Sequence, residues 1–219
     1  MTERLADPER ELALSYAKKT ARPHLRTLWA VDERFGSIVA GTTENTIGEM
    51  RLLWWREALA TASDHAAAEP LLETVAVTLA ESRADGSEWG KMTEGWFALL
   101  QDPLDADDLD RFATERGARL FTLSALLVSE AIPDWVSDYG KAWALTDLSF
   151  RIRDQGVADQ AKEMAGEIFA RTTPEKWPAT LRPIGALTML ARRDLAVAHR
   201  RQGSPSRVMR MIYHNITGY

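Results

Sequence analysis

The stretch TIGEMRLLWWREAL, Thr46 to Leu59, decides the reading of the chain. Thr46 followed three residues later by Glu49 has the form of a capping box, the hydroxyl accepting from a first-turn N–H and the carboxylate reaching back. Beyond that cap Met50, Leu53, Trp54 and Leu59 fall near one helical stripe, widened by Leu52 and Trp55, with Arg51, Arg56 and Glu57 towards other faces. The spacing predicts a well-capped packing helix. Two adjacent tryptophans project about 100° apart, so one reaches the core while the other looks into a neighbouring space.

Helical punctuation continues on both sides. Asp7-Pro8 reads as an N-cap with proline at N1, opening a helix to about Lys19. Pro23 opens a second, closed by Gly41-Thr42-Thr43. Pro70 opens a third, ended by Asp85-Gly86, and Ser87 begins a short helix with Trp89, Trp96 and Phe97. Asp102-Pro103 is a turn, after which Asp105 and Asp108 cap the helix of Leu109, Phe112, Leu120, Leu123 and Leu127. The acids of that cap suit the helix dipole and are not a metal motif. Pro133 precedes a helix from Asp134 to near Gln155, followed by one from Ala158 to Ala170. Thr172 to Pro183 is irregular, Ile184 to Arg201 is helical, and Gly203-Ser204-Pro205 precedes a last short helix. No stretch alternates with period two, and neither a repeat nor a linker divides the chain. The expected architecture is all-α, one helical-bundle domain over 1–219.

Composition narrows the function classes. With 219 residues, 45% hydrophobic and 27% charged, the chain is long enough for one sizeable core. A net charge of −5 argues against bulk nucleic-acid binding, and the lack of cysteine removes thiolate metal sites and thiol nucleophiles. The N-terminus MTERLADPERE lacks an apolar signal core, and the apolar patches Leu120–Val128 and Ile184–Ala191 are too short to span a bilayer. The expectation is a cytoplasmic protein, with peripheral membrane contact left open.

Three stretches carry a resemblance. GEMRLLWWREAL resembles a segment of one branch of the squalene/phytoene synthase family, a branch that includes bacterial phytoene synthase-like proteins and a mitochondrial complex I assembly factor. LRTLWAVDERFGSIV resembles the family's second-helix segment, and YGKAWALTDLSFRIRDQ its other signature. The resemblance implies the all-α prenyl-synthase bundle with an apolar cavity, and condensation of two prenyl diphosphates with Mg²⁺ held by two acidic motifs. Departure of a diphosphate from an allylic carbon needs that charge neutralised. Magnesium takes carboxylate oxygens, water and phosphate in octahedral array.

The sequence departs from both motifs. Carried over, the first falls on Gly36, Ser37 and Ala40, and the arginine upstream of it falls on Glu33. In the second, asparagine becomes Asp147, arginine becomes Phe150 and the first aspartate becomes Arg151; Asp154 stays acidic and Gln155 replaces the last acid.

Three readings follow. A family member without Mg²⁺-dependent catalysis keeps the fold to bind an isoprenoid-like or other lipid-like ligand, or a partner protein, a respiratory complex first by resemblance. Its ligand-binding candidates are Trp29, Arg34, Arg51, Trp55, Phe150 and Arg151, with no cofactor, and Trp29, Trp55 and Phe150 would line the tunnel. Alternatively, a divergent prenyltransferase uses Asp147 and Asp154, seven apart and so nearly on one face, for one weak Mg²⁺ site. Arg34, Arg51, Arg151 and Arg153 would otherwise grip a diphosphate directly. Surface charge, or ion pairing with Glu33 and Asp154, accounts better for each of those arginines taken singly. The third reading is a helical interaction domain with a filled cavity.

Other motifs are absent: the four histidines (His24, His65, His199, His214) lack metal-ligand spacing and read as surface or capping residues, and no nucleophile elbow or phosphate loop occurs. Arg192 to Arg210 is a local basic segment. Arg200, Arg201, Arg207 and Arg210 are therefore candidates for contact with anionic lipid or an acidic partner, set against an ordinary solvated face.

Overall fold

A computed structural model describes residues 4–62, 69–172 and 176–219, in which every regular element is helical. The order is α1 (Pro8–Leu14), α2 (Arg22–Ala40), α3 (Asn45–Ala60), α4 (Pro70–Glu81), α5 (Gly86–Gly90), α6 (Thr93–Ala98) and α7 (Ala106–Phe112). A π-helical segment (Ala113–Ala118) joins α7 to α8 (Arg119–Val128). Then come α9 (Trp135–Ser149), α10 (Gln155–Arg171), α11 (Arg182–Asp194) and α12 (Pro205–Thr217). The chain is all-α, as expected. Among the described residues no helix is long and apolar enough to cross a membrane. His65 lies outside them.

Several starts follow the sequence signals. Asp7 accepts from the N–H groups of Glu9 and Arg10 with Pro8 at the first helical turn, and Asp105 and Asp108 form a reciprocal capping box. The box expected at Thr46 does not form. The Asn45 side chain donates to the Leu100 carbonyl at 2.6 Å and α3 begins there, which leaves Thr46 inside the first turn. The inward face of α3 is Gly48, Leu52, Trp55 and Leu59, turned from the expected stripe, so Met50, Leu53 and Trp54 are exposed.

Helix α9 is the hub, packed against α8, α10, α11 and the π segment. Eleven of its fifteen residues are buried, which is why its sequence shows little amphipathicity. Gly117 of the π segment meets Gly140 of α9. A Cβ on Gly117 would lie 2.7 Å from the Ala144 Cβ, and one on Gly140 would lie 2.9 Å from the Phe121 Cβ. The two backbones approach this closely only because both side chains are missing.

Three predicted helices are shorter than their patterns suggest, the first of them ending at Leu14 instead of about Lys19, with Ser15 as its C-cap. The one expected from Asp134 to Gln155 ends at Ser149, because Asp154 is extended and caps α10 through Val157 N at 3.0 Å. The one expected to reach Arg201 stops at Asp194, whose carboxylate is taken by Arg207 of the returning α12. His214, expected at the surface, is buried, and neither ring nitrogen finds a hydrogen-bond partner among the described residues.

Candidate functional site

A cavity of about 930 Å³ opens between α2, α6, α7, the π segment and the α9–α10 junction. Its α2 wall carries Glu33, Gly36, Ser37, Val39 and Ala40, so the positions of the first acidic motif face it without any motif carboxylate. The opposite wall carries Asp147, Leu148, Arg151, Ile152, Arg153 and Asp154. Trp96, Leu99, Leu104 and Phe112 supply an apolar side.

The floor is charged and buried. Asp32, fully buried on α2, accepts from Arg10 Nη2 at 2.6 Å, Arg116 Nε at 2.9 Å, Arg116 Nη2 at 3.0 Å and Trp96 Nε1 at 3.2 Å. Asp147 accepts from Arg200 Nη2 at 2.9 Å, Arg151 Nε at 3.0 Å and Arg116 Nη2 at 3.4 Å. Arg116 thus bridges the carboxylates of α2 and α9. Its guanidinium lies 4.5 Å from the Trp96 ring and 4.7 Å from the Trp143 ring, which favours a cation there. Burial alone would raise both carboxyls. The charges of Arg116 and Arg10 on Asp32, and of Arg151, Arg116, Arg200 and Arg10 on Asp147, outweigh it and hold both below the ordinary aspartate range.

The sequence-derived candidates divide. Asp147, Arg151 and Asp154 come together at the cavity, as does Arg153, although Asp147 and Asp154 do not share a helix. Trp29 does not line it: fully buried in the core, it donates to Ser124 Oγ at 2.9 Å. Trp55 packs edge-on against Phe35, and Arg34 lies over Trp55 and pairs with Glu69 at 3.0 Å. Arg51 is exposed on α3, and Phe150 lies beneath Lys162 and Arg200, so neither faces the cavity. The expected tunnel of Trp29, Trp55 and Phe150 is therefore replaced by one lined by Trp96, Leu99, Phe112 and Leu148. Of the basic segment, Arg200 is spent on Asp147, and Arg207 is buried with Glu9 and Asp194; Arg201 and Arg210 are exposed.

Sequence reading missed Arg10, Asp32, Trp96 and Arg116. A signal was present for two of them. Asp32 interrupts the apolar face of Leu25, Leu28 and Phe35, and Arg116 the face of Leu109, Phe112, Leu120 and Leu123. A charge within a buried stripe needs a partner, and these two partner each other.

The residues present do not fit magnesium. Among the described residues no three His, Asp or Glu side chains converge on one point. The two buried carboxylates of the cavity already have guanidinium donors where a metal ion would compete for the same oxygens.

An all-helical chain enclosing a deep cavity between facing helices has the build of a prenyl-synthase-type bundle. The family model for squalene/phytoene synthase matches residues 4–163, well over half of the chain, and the chain belongs to that family. The match spans both cavity walls and stops inside α10. No curated protein matches the chain.

Proposed function

We propose that this protein is a non-catalytic member of its family that holds an apolar, isoprenoid-like ligand between α2 and α9. One observation carries the reading: the cavity is open, but its buried carboxylates are neutralised by arginine instead of being left free for metal ions. An elongated apolar chain has Leu99, Leu104, Phe112 and Ile152 to lie against, and the charged floor favours a ligand with one polar end.

The test has two arms. With farnesyl or geranylgeranyl diphosphate and Mg²⁺ the protein releases no diphosphate above background, and a double Asp147→Ala, Asp154→Ala variant behaves identically. Metal-dependent turnover lost in that variant would reassign the protein as a divergent prenyltransferase. In the second arm, Ser37→Trp with Ala40→Trp fills the cavity mouth and abolishes retention of a prenyl alcohol in native mass spectrometry while leaving the melting temperature unchanged.

A partner-protein role is favoured by a separate observation. The segment bearing the family resemblance turns Met50, Leu53 and Trp54 to solvent and away from the cavity, beside the exposed Ile47 that precedes it. Under this reading, with a respiratory complex as the partner, Met50→Glu with Trp54→Glu lowers the amount of assembled complex in cells and spares ligand retention.

A further inference from the structure

We infer that α12 docks this protein on an anionic membrane surface through an outward apolar ridge. Helix α12 buries Arg207, Met211 and His214 against the body. Its outward face presents Met209, Ile212, Tyr213 and Ile216, at i, i+3, i+4 and i+7, with exposures of 63, 38, 61 and 70%. Tyr219, 62% exposed, follows at its end. Single exposed apolar residues are ordinary, but a continuous ridge on one helix marks a contact surface.

Charge selects the occupant. The chain carries a net charge of −5, but no Asp or Glu occurs from Leu195 to Tyr219. Arg210 borders the ridge, Arg192, Arg193 and Arg201 are exposed nearby in sequence, and Lys176 lies 6.0 Å from the Tyr219 ring. A second copy of the chain on this face would set the same cations against one another. Tyrosines beside apolar residues suit the headgroup level of a bilayer, and arginines at the border reach lipid phosphates along their apolar stems. The preceding loop reinforces the placement, because Gln202 walls the cavity three residues before α12 begins. The ridge lies wholly outside the matched family region.

The experiment is vesicle flotation of the full chain, with phosphatidylcholine alone and with added phosphatidylglycerol. The protein floats with the anionic vesicles only, and salt weakens the association. Met209→Ser, Tyr213→Ser and Ile216→Ser together lower the partition coefficient more than about tenfold. Arg193→Gln and Arg210→Gln each cost about fivefold. The matching exchange on α3, Ile47→Ser, Met50→Ser and Trp54→Ser, leaves flotation intact, and circular dichroism with a thermal melt verifies folding of each variant. Failure of the unaltered protein to float overturns the inference. So does equal loss in the α3 variant, or a dimer in solution that the α12 exchange dissolves, which would make a second copy the occupant.

Discussion

Two buried clusters of charge hold this molecule together, and they are built in opposite proportions. Beneath the cavity, Asp32 and Asp147 face four arginines: Arg10, Arg116, Arg151 and Arg200. At the other cluster a single arginine, Arg207, serves two acids. It donates to Glu9 Oε1 at 2.5 Å, Glu9 Oε2 at 2.9 Å and Asp194 Oδ2 at 3.0 Å, with a further bond to Asp194 Oδ1. That second cluster closes on itself and ties α1, α11 and α12 together. The first has more arginines than acids among its hydrogen-bonded members, and it opens on the cavity. Around its rim stand four further acids, Asp7, Glu33, Asp102 and Asp154, of which Asp7, Glu33 and Asp154 accept backbone amides. Access to the cavity, more than the number of pairs, separates a ligand-facing cluster from a structural clasp.

The contrast breaks first at Asp32. Asp32→Ala strands Arg10 and Arg116 in the interior and should cost about 3–5 kcal/mol in urea unfolding. A loss under about 1 kcal/mol would mean the floor arginines are satisfied without it.

Arg207→Met should cost about 3 kcal/mol at neutral pH. A loss under about 1 kcal/mol would mean that α1, α11 and α12 hold together without this clasp.

The unaltered protein sharpens the contrast further. Asp32 and Asp147 have folded-state values below their unfolded ones, so their contribution is complete above about pH 4 and is lost as pH falls through the folded values. Stability measured from pH 7 downward should therefore stay level until about pH 4 before declining, with a shallower limb in Asp147→Asn. The smallest effect belongs to Asp154→Ala, which removes a helix cap and costs about 1 kcal/mol. A much larger cost would give Asp154 a part in the floor.

Caps and prolines made the helices legible. Asp7-Pro8, Pro70 and Asp105 act locally, and their hydrogen bonds depend on a few neighbouring residues. The break at Asp194 was hidden because a tertiary partner sets it, Arg207 recruiting that carboxylate from thirteen residues away. The break at Phe150–Asp154 rests instead on a local cap, Asp154 accepting from Val157 N, that was as open to sequence reading as the others. Of the site, the wall was readable and the floor was not. Asp147, Arg151 and Asp154 were found through the family motif positions, whereas Arg10 and Arg116 reach Asp32 across 22 and 84 residues of chain. The aromatic candidates failed for a different reason. Trp29 and Trp55 fill the core, a use of tryptophan that spacing alone does not distinguish from lining a tunnel.

The contact between Gly117 and Gly140 has a consequence for how this architecture can diversify. Arg116 sits one residue before that contact and Asp147 two turns beyond it, so the spacing of the two segments that carry them rests on two missing methyl groups. A relative carrying alanine at either place would need its backbones farther apart. Its central guanidinium would then be drawn away from one carboxylate, and a chamber of different length would result without any change in the residues that line it.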